Sequence, residues 1–292
     1  MLNESSVSNS SYTFSPPSWL AQYDAGTKIG HAQGLQAYSE YECVDGVADF
    51  EPEIEERTPI ARTPMVPYAS RTGTKQNLAA MRANGWHLLV SAKGVLRTEG
   101  FPYALDNGAW SAFTQGLPFD ERAFDKAFNL LAENANWFVL PDIVAGGMRS
   151  LDLSLSWMDK LGPNLPTVSL IAVQDGMKPD DVRHHLGPRC GIFLGGSTSW
   201  KLETLHSWGI LARRRNCHLH IGRVNSAKRI LMCAAAGGAH SIDGTSASMY
   251  QKTVAPLSAA VKHGETQQDF LSPNGQDFAD TPFDCAWPPH LA

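Results

Sequence analysis

The sequence predicts an α/β chain folded as a (β/α)8 TIM-like barrel, with an irregular N-terminal extension and a polar C-terminal tail. Three observations predict it. From about Met65 to about Lys262, short apolar runs alternate with helical patterns. Almost every run ends in a polar side chain beside a glycine, as the loops at the C-terminal face of a barrel do. The first βα turn carries no Gly-x-Gly-x-x-Gly string, which disfavours a doubly wound open sheet.

In chain order, the predicted strands are 65–68, 87–90, 103–105, 137–141, 168–173, 191–194, 218–221 and 241–242. They are mostly apolar on both faces, as strands buried in a parallel sheet are. Helical patterns fill 75–83, 121–134, 151–161, 200–215 and 226–236. Asp120 and Asn225 suit helix N-caps, and Gly85, Gly162 and Gly237 follow helix ends. The 91–100 link is too short for a full helix, so a loop joins the second and third strands. Residues 1–60 hold Ser, Asn, Pro16, Pro17 and an acidic stretch with weak periodicity, and read as a partly irregular extension. The barrel then occupies 61–263. Residues 264–292 are polar and proline-rich and read as a tail.

Composition narrows the class. A chain of 292 residues that is 43% hydrophobic and 18% charged can bury the core of one large domain. No apolar run approaches the roughly 18 residues of a bilayer span. The first residues lack the basic start and apolar stretch of a secretory signal. The expectation is a cytoplasmic protein with no membrane partner. A net charge of −5 argues against a module that only coats nucleic acid, yet leaves room for an enzyme with a local basic patch. Cys43, Cys190, Cys217, Cys233 and Cys285 form no Cys-x-x-Cys pair, and the histidines, His218 and His220 included, show no ligand spacing. No metal and no other cofactor is expected.

The residues that follow the strands carry the chemistry. Asp106-Asn107-Gly108-Ala109-Trp110 follows the third strand and Asp142 the fourth; Gln174-Asp175-Gly176 follows the fifth. Gly195-Gly196-Ser197 follows the sixth, Gly222-Arg223-Val224-Asn225 the seventh, and Asp243-Gly244-Thr245 the eighth. One aspartate after a strand is usually a cap or turn residue. Three carboxylates and a glutamine on one barrel face suit a purine-like heterocycle: carboxylates accept from ring N–H and amino groups, and an amide offers both a donor and an acceptor. Glycines admit a flat ligand close to backbone. Backbone N–H groups at Gly195 and Gly196 can meet a carbonyl oxygen, and Trp110 can stack on a base. Two carboxylates near an anomeric carbon permit double displacement. Asp175 reads as a turn cap. Arg223 and Asn225 suit either a phosphate or sugar contact or, for Asn225, a helix cap.

The ordered strings ALDNGAW, VLPDIVAGG, IAVQDG, GIFLGGS, HIGRVN and HSIDGTS resemble the tRNA-guanine transglycosylase superfamily over roughly residues 104–249. Within it, the chain resembles the short bacterial and phage branch linked to 7-deazaguanine modification of DNA. The resemblance implies Asp243 as the nucleophile that attacks C1′ and Asp106 as the acid/base, with Asn107 and the stacking Trp110 of the motif that follows binding the substrate. It implies Asp142 and Gln174 at the guanine edge, Gly195 and Gly196 at the base carbonyl, and Gly222 lining the pocket. The implied partners are DNA, with tRNA as the alternative, guanine, and a 7-deazaguanine such as 7-cyano-7-deazaguanine. A partner subunit or a homodimer stays open. The three-cysteine, one-histidine zinc site of the tRNA enzymes has no counterpart after Asp243. Three alternatives stay open too: a non-catalytic partner subunit, a hydrolase in which water resolves the intermediate, and a sugar-phosphate barrel enzyme.

Overall fold

A computed structural model describes residues 64–271, without 73, 236 and 237 and without the side chains of 265–271. The predicted extension 1–60, Gly237, Cys43, Cys285 and most of the predicted tail lie outside the described residues. Eight parallel strands close into a barrel in sequence order: β1 (Val66–Ser70), β2 (His87–Ser91), β3 (Tyr103–Asp106), β4 (Trp137–Val139), β5 (Val168–Val173), β6 (Cys190–Leu194), β7 (Leu219–Ile221) and β8 (Ser241–Gly244). The β1–β8 pairing closes it, with Tyr68 in register with Asp243. The fold is the predicted (β/α)8 barrel.

The helices are α1 (Lys75–Ala83), α2 (Ala109–Thr114), α3 (Glu121–Leu131), α4 (Met148–Leu161), α5 (Pro179–Val182), α6 (Thr198–Arg214), α7 (Ala227–Ala235), α8 (Ser246–Met249) and α9 (Gln251–Leu271). Asp120 caps α3 as expected, accepting from the Ala123 N–H. Asn225 does not cap α7. Its Oδ1 instead accepts from the N–H groups of Thr245 and Ser246, at 2.8 and 3.2 Å, and so caps α8 across the barrel mouth. The Ser226 hydroxyl takes the α7 position. The loop predicted between β2 and β3 is present. The short helices α2, α5 and α8 fall outside the predicted helical stretches, because a segment of four to six residues carries too little periodicity to register. α9 runs through the predicted barrel–tail boundary at 263/264.

Alternation along each strand divides the core in two. One set of side chains fills the barrel itself: Tyr68, Ala104, Trp137, Val139, Leu170 and Ala172, with Phe193 against them. The other set, including Leu88, Leu105, Phe138, Ile171, Ile192 and Ile242, faces outward under the helices, where Phe124 and Trp208 are fully buried. Strands covered on both faces read as unbroken apolar runs for this reason. Polar ties join the helices: Trp86 donates to Ser258 on α9 at 2.7 Å, and Asn77 on α1 donates to the Ser248 carbonyl of α8 at 2.6 Å.

Gly191 on β6 shows how tightly the barrel interior is filled. A Cβ there would lie 2.3 Å from the His218 carbonyl oxygen and 2.8 Å from Leu170 Cδ2. Neither backbone nor a packed core side chain gives way cheaply. Gly191→Ala is therefore expected to lower stability by about 1–3 kcal/mol, read as a fall in the urea midpoint at constant slope. An unchanged midpoint would show that β6 and β7 can part without cost.

Candidate active site

The C-terminal ends of β3, β4, β5 and β8 bring the sequence-predicted carboxylates and glutamine to one mouth of the barrel. Asp243, on β8, is 8% exposed. Its Oδ1 accepts from the Arg223 backbone N–H at 3.0 Å, and its Oδ2 lies 3.0 Å from His220 Nε2. Arg223 reaches this position with φ of 58°, a left-handed backbone that turns its N–H back toward β8. Burial alone would raise the Asp243 carboxyl. The His220 hydrogen bond, the Arg223 N–H and the Lys201 ammonium together outweigh burial and hold it below the ordinary carboxylate value.

Asp106, at the end of β3, behaves oppositely. Burial pushes it up to about 6 and the negative charge of Asp243 adds to the rise, while the Ser91 hydroxyl beside it and the Gly108 N–H, 3.2 Å away, oppose it. Asp142 is pushed up to about 7 by burial and by the charge of Asp106, while the Asn107 amide pulls against both. The three carboxylates thus form one electrostatic cluster. One member is kept ionised, and two are poised to gain or lose protons near neutrality.

The remaining predicted residues divide by what their polar groups already touch. Gln174 is buried, with its Nε2 donating to the Ile143 carbonyl at 2.9 Å, which leaves Oε1 as the acceptor it can offer. Gly196 takes φ of 72°, and a Cβ there would strike the Asp175 carboxylate at 2.5 Å, so only glycine fits. Its N–H makes no hydrogen bond among the described residues. Trp110 is 37% exposed, and the Arg223 guanidinium lies 4.7 Å from its ring centroid, a cation–π contact over one face. Gly222 leaves room for Phe193, whose ring would lie 3.0 Å from a Cβ there, and its N–H and carbonyl are engaged by Leu194 and Lys201.

Three expectations are corrected. Asn107 is buried and has no N–H left for a ligand: Nδ2 donates to the Leu140 carbonyl and to Asp142 Oδ1, at 2.6 and 2.8 Å, and Oδ1 accepts from the Ala109 N–H. It positions Asp142 and starts α2. The Gly195 N–H is committed to the Val173 carbonyl at 2.9 Å, as the β5–β6 ladder continues past the strand end, and cannot hold a base carbonyl. Asp175 does not cap its own turn. It accepts from the Ser197 N–H and hydroxyl, at 2.6 and 2.5 Å, and so fixes the start of α6.

Sequence reading missed His220, Lys201 and Ser91. His220 is 0% exposed and is stacked on Phe193 with ring centroids 4.9 Å apart. Two histidines at alternate positions of a buried strand were the available signal. Lys201, buried on α6, donates to the Gly222 carbonyl, and burial with the Arg223 charge brings it down to about 8. Nothing in its helical context marks it out. Ser91, in register with Asp106, has a buried hydroxyl with no well-formed hydrogen bond. Among the described residues no cluster of three or more His, Cys, Asp or Glu side chains has a metal-binding arrangement, and no helix is long and apolar enough to cross a membrane.

No family model and no curated relative matches the chain. Solved structures with a similar backbone include a mutant tryptophan synthase from M. tuberculosis in its ligand-free form, 12% identical, covering 70% of this chain and 93% of that one at a TM-score of 0.43. A dihydrodipicolinate synthase family protein from Coccidioides immitis is 13% identical, covering 72% and 75% at a TM-score of 0.48. RipC from Yersinia pestis is 12% identical, covering 66% and 94% at a TM-score of 0.42.

The raised carboxylates make a stability prediction. Asp106 and Asp142 bind protons more tightly in the folded chain than in the unfolded one. Their stabilising contribution is therefore full below about pH 4 and lost as pH rises through about 6 and about 7. Asp142→Asn keeps an acceptor for the Asn107 amide and removes the charge. It is expected to be more stable than the parent by about 1–3 kcal/mol at about pH 8, with no gain at about pH 4. Denaturant midpoints at both pH values check this; a variant less stable than the parent at the higher pH contradicts the assignment.

Proposed function

We propose that this chain is a base-exchange transglycosylase, a pentosyltransferase that replaces guanine in a nucleic acid, DNA before tRNA, with a 7-deazaguanine. The observation that carries the reading is the contrast between two carboxylates at one barrel mouth. Asp243 is held ionised by N–H donors and a buried ammonium, while Asp106 is raised to about 6. Neighbouring carboxyls pushed apart in this way divide the roles of nucleophile and acid/base. The ordered motifs of the chain support the same roles.

In the first displacement, an Asp243 oxygen attacks C1′ of a nucleotide whose base has left the stack. The C1′–N9 bond breaks, its electrons pass into the guanine ring, and the Asp106 carboxyl supplies the proton that neutralises the departing base. In the second, the N9–H of the incoming 7-deazaguanine gives its proton to the Asp106 carboxylate. N9 attacks C1′, and Asp243 departs as a carboxylate. Two inversions retain the sugar's configuration, and no further reactant is required. Asp142, ionised, accepts from N1–H and the exocyclic amine of the base; Gln174 offers Oε1, and the Gly196 N–H meets the base carbonyl. Trp110, 37% exposed at the mouth, supplies an aromatic surface for the base.

The direct test is exchange of labelled guanine into DNA and, separately, into tRNA. Asp243→Ala is expected to abolish incorporation and any covalent adduct, and Asp106→Asn to slow it by about 10²–10⁴-fold. Incorporation into tRNA alone would reverse the substrate order, guanine release without incorporation would make the chain a hydrolase, and no reaction with either would remove the reading. Binding of the free base gives a second test. The base selects ionised Asp142, so its affinity should fall roughly tenfold between about pH 8 and about pH 6. In Asp142→Asn the dependence should vanish; a parent affinity flat across that range would take Asp142 off the base edge.

A further inference from the structure

Behind Asp243, inside the barrel, three side chains form a hydrogen-bonded row. His220 Nε2 is 3.0 Å from Asp243 Oδ2, His220 Nδ1 is 2.8 Å from Ser241 Oγ, and Ser241 Oγ is 2.7 Å from His218 Nε2. Ser241 and His220 are both 0% exposed. Phe193, Trp137 and Tyr68 enclose the His220 ring, with centroids 4.9, 4.4 and 6.0 Å away, so it has no room to turn.

Counting protons fixes the direction of the row. An ionised Asp243 only accepts, so His220 Nε2 carries the hydrogen. Burial lowers the His220 pKa, against the pull of Asp243, and Lys201 lowers it further, so the ring is neutral and its Nδ1 is bare. Ser241 therefore donates to His220 Nδ1 and accepts from His218 Nε2–H. His218 is itself brought down to about 3, by burial above all. His240 Nδ1 accepts from the Leu219 N–H at 3.1 Å, so that nitrogen is bare as well. The titratable groups facing the row are thus Asp243, Lys201, His218, His240 and Tyr68.

We infer that His220 is a positioning residue whose Nε2–H, held in that tautomer by Ser241 and His218, sets how readily the Asp243 carboxylate leaves C1′ in the second displacement. The inference rests on the transglycosylase reading for its chemical consequence. A hydrogen bond to a free carboxylate is about twice as strong as one to a neutral ester oxygen. The His220 N–H therefore favours the free carboxylate over the glycosyl ester. Without it, Asp243 attacks no less readily but departs more slowly, and the covalent intermediate accumulates.

The experiment compares the parent with His220→Phe, His220→Gln and Ser241→Ala, reading both turnover and the steady-state fraction of Asp243–nucleotide adduct after a rapid quench. His220→Phe removes the donor and keeps the ring. It is expected to raise the adduct fraction and slow turnover by roughly ten- to a hundredfold. His220→Gln, whose amide nitrogen stands near the lost Nε2, restores both in large part. Ser241→Ala, which frees the tautomer, falls between them. Slower turnover without adduct, or a His220→Phe variant indistinguishable from the parent, overturns the inference. Imidazole nitrogen spectra of the full-length parent decide the row separately. A neutral His220 protonated at Nε2 at neutral and mildly alkaline pH is expected, whereas an imidazolium or an Nδ1–H ring at neutral pH overturns it. A parent that exchanges no base removes the function proposed above, and those spectra then still decide the hydrogen-bonded row.

Discussion

The carboxylate of Asp243 is a negative charge buried at the mouth of a closed barrel, and a buried anion persists only where donors replace the water it has lost. Much of the local structure follows from that requirement. The Arg223 backbone takes a left-handed turn so that its N–H reaches Oδ1. Lys201, itself buried, fastens the Gly222 carbonyl and brings its ammonium close enough to favour the ion. His220 completes the set from inside the barrel, and Ser241 and His218 hold His220 in turn.

Asp106 and Asp142 occupy the same mouth without that support. Asp106 has one backbone N–H and the Ser91 hydroxyl, Asp142 has one amide, and both lie within reach of another negative charge. Their raised values are thus a consequence of the ion next to them as well as of burial. Fixing one carboxylate in the charged state makes proton carriers of its neighbours. Asn107 links the two layers of this arrangement, since one side chain starts α2 and steadies Asp142.

The loops that shape the site are tied to one another rather than to their own helices. Asp175, after β5, fixes the start of α6, and Asn225, after β7, caps α8. Arg223, after β7, spans from the Gly196 carbonyl after β6 to the ring of Trp110 after β3. Each tie crosses between strand ends, so the mouth holds its shape through the closed strand order below it. In such a frame a one-residue change in register would move every one of these groups to the wrong face.

The sequence by itself determined the barrel, because parallel strands covered on both faces must be short apolar runs and the helices between them must carry one apolar stripe. It also placed Asp106, Asp142, Gln174, Gly196, Gly222 and Asp243 at one mouth, since the C-terminal ends of successive parallel strands share a face. What it could not determine is which polar groups were left over for a ligand. Asn107 and the Gly195 N–H looked available in the string and are engaged in the fold, while His220, Lys201 and Ser91 looked ordinary and stand at the site. A hydrogen bond between residues 20 or more positions apart, such as Arg223 to Asp243, has no periodicity to betray it. The protonation states were likewise decided only by tertiary structure. Asp106 and Asp243 are the same residue type after the same kind of strand, and burial, neighbouring charge and the count of N–H donors alone set them apart.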